Sequence, residues 1–396
     1  MAFAFRHQPL KSLYLASAIF LLLFVRIPIW TIQYSFPFGR PRRQWSLGRS
    51  LIVSALGFFI DVLYTTSLLP SPSIEKLAEK GAEAGFVWIE ATPSLIHGEI
   101  LEKAKTNGVE AVRTGGFWFG ERGADGAAGQ KAGPDELVFY HFHGGAFVMG
   151  TSDPSTSANK TLFLGLLRHN TKVRRVFALE YRLSSAPPFA SRHPFPAALI
   201  DSIAGYRYLV EDVGFNPSNI IISGDSAGGN LAYALTRYIS TDGAHGLPHA
   251  GALLLLSPTV DWADTHIGAD SSIRRNARTD FVHPIFTSRF TYRALQGSLP
   301  DDEVATNSWI SPGSLKIAQP SGIFAAFPRT LIVSGSVEMT LDPIRTLRDR
   351  MVDDMGKDRV RYLEVPESTH DFMTQTWHEP ERTNTLKLVG NWVDSL

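Results

Sequence analysis

The feature that most constrains this chain lies between positions 219 and 239. An apolar run, Asn219-Ile220-Ile221-Ile222-Ser223, meets Gly224-Asp225-Ser226-Ala227-Gly228-Gly229 and then a helix-like segment reaching to about Ile239. A G-x-S-x-G placed between strand and helix has a physical reading. The serine sits on a strained turn that lifts its oxygen clear of the sheet, and glycines two positions before and after let neighbouring backbone approach without a Cβ clash. The same turn puts the Ala227 N–H at a helix start, where it faces developing negative charge.

The rest of the chain supplies a sheet to carry that turn. Strand-prone runs at 136–142, 173–181, 251–256, 330–333 and 360–365 alternate with helical or irregular stretches, among them 197–212 and a closing amphipathic helix at 379–396. Near-continuous apolar strands between helices require a mostly parallel central sheet covered by helices on both faces, the α/β class. An apolar content of 44% with 11% aromatic residues suffices for such a core. The absence of cysteine excludes disulfides and thiolate chemistry. The Gly and Ala tract at 123–133 reads as a surface loop.

A second motif, His143-Gly144-Gly145-Ala146-Phe147, follows the strand at 136–142; glycines there free backbone N–H groups to surround one oxygen. HGGAF, EYRL (180–183), HPFPAAL (193–199), GDSAGGN (224–230) and LSPTVDW (256–262) stand in the order of the hormone-sensitive-lipase-like esterases, which the chain resembles over about residues 85–395. The resemblance implies an α/β-hydrolase fold and a serine hydrolase of carboxylic esters. It implies Ser226 as nucleophile and an oxyanion hole from the N–H groups of Gly145, Ala146 and Ala227, with Gly144 in the same turn. Ala146 replaces the family's usual third glycine, and SSAPPFASR (184–192) is an added segment at the rim of the pocket.

The general base expected is His370, in Pro366-Glu367-Ser368-Thr369-His370-Asp371-Phe372, because a loop past a strand end can swing an imidazole over the serine; His143 is expected to be structural. Two carboxylates compete as the acid. Asp342 precedes Pro343 and has a ready explanation as a helix N-cap. Glu338 lies nearer the strand end, where the family's pattern puts the acid, and is favoured.

Residues 1–60 carry seven basic residues and no acidic one, leaving 31 basic against 38 acidic residues, a net charge of −7, in the remainder. From Leu13 to Val25 the chain is uncharged, and with Arg26 snorkelling the apolar run extends to Ile32, about 30 Å of helix. Residues 1–70 are therefore expected to be a membrane anchor region, single-pass or monotopic and meeting membrane lipid through residues 1–60, in the endoplasmic reticulum or another endomembrane; a cleaved signal peptide and an ordinary packing helix are the competing readings. The stretch 51–60 is too short to span alone and either lies in the interface or packs on the catalytic domain. Arg40, Arg42 and Arg43 would meet anionic head groups.

Residues 71–396 form the expected catalytic domain, with cap segments near 71–110 and 262–310 whose aromatics include Trp262, Phe281, Phe286, Phe290 and Trp309. A small-molecule ester is the expected substrate, lipophilic or of short acyl chain. An acyltransferase or natural-product tailoring enzyme on the same residues, and a non-catalytic receptor on the same fold, are the competing readings. Balanced charge, 38 against 38, gives no sign of a nucleic-acid partner. No H-E-x-x-H or similar spacing calls for a metal, and no cofactor is expected. Asn159-Lys160-Thr161 is a glycosylation sequon, and 274–278 reads as a solvated basic face.

Overall fold

The computed structural model describes residues 2–241 and 246–396. Its strands are β1 (Phe86–Ile89), β2 (Thr114–Gly120), β3 (Leu137–Phe142), β4 (Val173–Glu180), β5 (Ile220–Asp225), β6 (Ala252–Leu256), β7 (Arg329–Gly335) and β8 (Val360–Val365). They form one sheet in the order β1-β2-β4-β3-β5-β6-β7-β8. β2 runs antiparallel to both β1 and β4, and the strands from β4 to β8 are parallel.

Side chains alternate between two cores, one on each face. Val138, Tyr140, Phe142, Ile222, Leu253, Leu255 and Ile332 meet the helices Ala197–Arg207, Ala227–Ser240 and Leu341–Met355. Phe139, Ile221, Leu254, Leu256, Leu331 and Val333 meet the helices Ser157–Arg168 and Glu381–Asp394. With both faces covered, every second residue is as buried as its neighbour, so the strands read as unbroken apolar runs.

β1 and β2 had no counterpart among the expected strands. β2, Thr-Gly-Gly-Phe-Trp-Phe-Gly, hides behind its glycines, which disfavour strands in general but are needed here. A Cβ on Gly116 would lie 2.6 Å from the Ala178 carbonyl oxygen of β4, and one on Gly115 would lie 2.5 Å from the Phe86 ring of β1. Part of the 71–110 segment is accordingly sheet edge. The other expected cap region, after β6, contains short helices at Ser272–Arg275, His283–Thr287, Phe290–Gln296 and Glu303–Thr306. The 123–133 tract is a loop, held where the buried Arg175 Nη1 donates to Gln130 O at 2.8 Å.

At the amino terminus, α1 (Leu10–Leu21) continues through a π turn at Leu22–Arg26 into α2 (Ile27–Ser35), and α3 (Leu47–Thr65) returns alongside. The continuous 26-residue helix and the 19-residue α3 are each long and apolar enough to cross a membrane. Ser46 caps α3 by accepting from Arg49 N at 3.1 Å. α3 packs on the helix His283–Thr287.

Leu254 is fully buried at the centre of the sheet. Leu254→Ala should lower unfolding free energy by roughly 2–5 kcal/mol, read as a lower urea midpoint at unchanged m-value.

Candidate active site

Ser226 follows β5 and caps the helix Ala227–Ser240 with φ 52° and ψ −115°, a backbone conformation unusual for a residue with a side chain. The turn exists because its glycines are crowded: a Cβ on Gly224 would lie 2.2 Å from Gly228 O, and one on Gly228 2.0 Å from Phe142 O. The elbow is further tied to β6 by Ser226 N donating to Leu256 O at 3.0 Å.

His370 arrives on the loop after β8. Its Nε2 lies 2.8 Å from Ser226 Oγ and its Nδ1 3.2 Å from Glu338 Oε2. Glu338 is wholly buried, and its carboxylate accepts from Ser257 Oγ at 2.6 Å, Gly335 N at 2.5 Å and Thr340 Oγ1 at 2.9 Å. Ser226, His370 and Glu338 thus lie in one hydrogen-bonded series. Asp342 stands apart. It occupies the first turn of Leu341–Met355 rather than the cap position, which is Thr340, and accepts from Ser272 N at 2.7 Å.

The HGGAF loop doubles back beside Ser226. Gly145, Ala146 and Phe147 have φ of 116°, 57° and 61°, so the turn accommodates alanine in a left-handed conformation. Gly144 N donates to Asp225 Oδ2 at 3.0 Å; it anchors the loop and is not a free donor. Among the described residues no acceptor is bonded to the N–H groups of Gly145, Ala146 or Ala227. His143 is buried and structural: its Nδ1 bonds to Gly144 O at 2.6 Å, its ring stacks on Tyr181, and Tyr181 OH donates to His143 O at 2.6 Å. Burial pushes its pKa down, keeping the ring neutral.

Several polar residues of the site carried no assignment in the sequence. Asp225 holds Gly144 and His141, the latter at 3.0 Å. Thr259 Oγ1 lies 3.2 Å from Ser226 Oγ. Asp371, with φ 52°, brings Oδ2 to 3.4 Å from His370 Nε2, and its buried Oδ1 has no hydrogen-bond partner among the described residues. Asp280 Oδ2 accepts from Met339 N at 2.7 Å; burial pushes its pKa up to about 6. Burial opposes a charge on His370, but Asp371, Glu338 and Asp280 outweigh it and hold the imidazole up at about 10. Burial likewise holds Asp371 well above the carboxylate range, with Asp225, Glu338 and Asp280 adding to it against the pull of His370. A recognisable signal was adjacency: Asp225 and Asp371 each neighbour an expected site residue.

A cavity of about 290 Å³ adjoins this cluster, lined by Gly144, Gly145, Asp225, Phe281, Asp371 and Thr374 among others. Phe281 sets its ring edge-on to His370 at 6.2 Å. The other expected pocket aromatics pack elsewhere: Trp262 lies between Phe147 and Phe286, Phe290 against Phe3, and Trp309 under Arg237. Asn159 is buried and its Nδ2 donates to Thr151 O and Asp153 O, which explains the sequon as a structural asparagine. The arginines of 274–278 are exposed, whereas Asn276 between them is buried and donates to Glu338 O at 2.7 Å.

Residues 139–374 match the family model of the alpha/beta hydrolase fold. The acetyl-hydrolase of Streptomyces hygroscopicus is 30% identical over 266 residues, covering 66% of this chain and 76% of that protein. The esterase LipU of Mycobacterium tuberculosis is 28% identical over 66% of this chain and 78% of its own length. A crystal structure of a hormone-sensitive lipase from a metagenome library superposes with a TM-score of 0.53 at 26% identity, over 71% of this chain and 82% of that one. With its sheet order, serine elbow and glycine loop in place, the chain belongs to the α/β-hydrolase fold family, among the hormone-sensitive-lipase-like ester hydrolases.

Proposed function

We propose that the protein hydrolyses carboxylic esters through an acyl-enzyme on Ser226. The observation that supports this most directly is the 2.8 Å contact between His370 Nε2 and Ser226 Oγ, with Glu338 behind the same ring at 3.2 Å. In this reading His370 takes the serine proton as Oγ attacks the ester carbonyl carbon. The N–H groups of Gly145, Ala146 and Ala227 receive the charge developing on the carbonyl oxygen. His370 then returns its proton to the departing alcohol. Water, deprotonated by the same imidazole, releases the acid and restores Ser226. Glu338 fixes the ring orientation and stabilises the imidazolium; its three further donors keep the carboxylate in place.

The cavity of about 290 Å³ beside Gly144, Gly145 and Asp371 is the proposed substrate site, a size suited to a small or medium ester. The exposed apolar surface of the continuous helix from Leu10 to Ser35 and the turn after it, with Phe24 at 67%, Ile32 at 69% and Phe38 at 76% exposure, supports association with a membrane and favours lipophilic substrates.

With p-nitrophenyl acetate or butyrate, Ser226→Ala should abolish turnover and fluorophosphonate labelling. Glu338→Gln should lower kcat by about 10²–10⁴-fold, whereas Asp342→Asn should leave it within a few-fold; the reverse ranking would transfer the acid role to Asp342.

The pH dependence follows from the carboxylates around His370. Only neutral imidazole accepts the serine proton, and a raised pKa means that form appears at higher pH, so kcat/KM should climb with pH above the usual histidine range near 6.5. Asp371→Asn removes the strongest of the charges that raise it and should move the rising limb toward acid. A limb near 6.5 that the substitution does not move would refute this role for Asp371.

A further inference from the structure

The geometry points to a monotopic membrane enzyme: α1 and α2 lie along one leaflet, immersed in its acyl region, with both ends of the helical pair held on the catalytic body. This rests on the membrane association proposed above and fixes how that association is built.

One end of the pair is tied down by the first residues of the chain. Phe3 N donates to Tyr64 O at 2.7 Å, Phe5 N to Thr65 O at 3.0 Å, and Lys11 Nζ to Ser67 Oγ at 2.6 Å. The buried Phe3 ring wedges between Phe189 and Phe290, each 4.8 Å away. Phe189 belongs to the added segment 184–192, which an antiparallel bridge between Ser185 and Arg192 closes into a hairpin-like loop. The insertion therefore receives the amino terminus.

The opposite end is tied just as firmly. Tyr34 OH and Ser54 Oγ lie 3.0 Å apart, joining α2 to α3. Arg40 donates to Tyr34 O and Trp45 O, both at 2.7 Å, closing the connection between the helices. Trp45, 1% exposed, packs with Val53 and Val337 and donates from Nε1 to Glu367 O at 3.0 Å. Arg49 grips the Glu381 carboxylate through Nη1 at 2.9 Å and Nη2 at 2.7 Å.

A helix that crosses a bilayer carries its two ends to opposite faces, about 30 Å apart. Here the catalytic body holds both ends, so crossing would require tearing out either the Phe3 wedge or Trp45. Arg26 argues in the same direction. It lies near the middle of the 26-residue helix, exposed, its guanidinium 4.6 Å from the Phe58 ring centroid. In a spanning helix it would sit near the bilayer centre, where a charge is costly, while in an in-plane helix it reaches the head groups. The outer helix is apolar around most of its girth, with Leu13, Phe20, Leu23, Phe24, Ile29 and Ile32 exposed, which suits immersion in a leaflet better than resting on its surface. A helix about 10 Å across fits within the roughly 15 Å depth of one leaflet.

The chain has no cysteine, so single cysteines report topology without background. His7→Cys, Gln44→Cys and Lys357→Cys place probes at the two ends of the outer helix and on the catalytic body, all at exposed positions. The full-length variants, reconstituted into sealed vesicles of phosphatidylcholine with 20 mol% phosphatidylserine, would be treated with a membrane-impermeant maleimide before and after detergent. The expected result is that His7→Cys and Gln44→Cys label to the same fraction as Lys357→Cys before detergent. If exactly one of the two helix-end probes is protected when Lys357→Cys is labelled, the helix spans and the monotopic arrangement is overturned. Flotation of the same vesicles separates the two readings, since protein left at the bottom of the gradient would overturn membrane association itself.

Discussion

The contacts at Gly224 and Gly228 leave less than 2.5 Å between a hypothetical Cβ and main-chain oxygen, and the geometry of the site follows from that closeness. Gly228 lies against Phe142 O, the last residue of β3, so the helix after Ser226 can start only where β3 ends. The loop that follows Phe142 is thereby delivered beside Ser226, and Asp225 fastens it by accepting from Gly144 N. The unfavourable backbone at Ser226 costs on the order of 1–3 kcal/mol. Burial of β3, β5 and β6, each fully covered, offsets that cost many times over, which is why the strained residue can persist at the carboxyl end of a central strand.

Two carboxylates beside one imidazole behave differently because their donors differ. Glu338 receives hydrogen bonds from Ser257, Gly335 and Thr340 as well as from His370, so its charge is distributed over four donors in a dry site. Asp371 has His370 near Oδ2 and, among the described residues, no donor on Oδ1, so the imidazolium is the partner that balances its charge. One group is thereby fixed in place behind the ring. The other raises the proton affinity of the imidazole.

What the sequence revealed of this site was whatever depends on local geometry. Ser226, Ala227, Gly145 and Ala146 sit in turns of a few residues, where motif and family resemblance together suffice to single them out. Gly144 was grouped with the donors because its neighbours are, and only the position of Asp225 in space shows that its N–H is occupied. The choice between Glu338 and Asp342 turned on which of two nearby residues faces inward: Glu338 Oε2 lies 3.2 Å from His370 Nδ1, whereas Asp342 accepts from Ser272 N. Ser257 and Thr340 were illegible because each is an ordinary polar residue until a strand end brings it to Glu338, and Asp280 because only the fold brings the segment after β6 against Met339. β2 was missed for a related reason: its glycines answer to β1 and β4, and propensity carries no information about those neighbours.

The amino-terminal region was legible as apolar and basic, but its attachment was not, since Arg42 and Glu367 are 325 positions apart. That attachment reaches the chemistry. Glu367 lies three residues before His370, with φ 58°, and both its carboxylate and its carbonyl are held by the segment between α2 and α3. The Arg42–Glu367 pair is largely open to solvent on the arginine side and contributes at most about 1 kcal/mol. Trp45 is nearly fully buried, and losing a tryptophan from such a site costs roughly 3–5 kcal/mol. It is therefore the indole, packed on Val337 next to Glu338, that secures the histidine loop. A force that lifts residues 36–46 off the body acts on Glu338 through Val337 and on His370 through the run Glu367-Ser368-Thr369, so the seating of the amino-terminal helices and the alignment of the imidazole share the same few side chains.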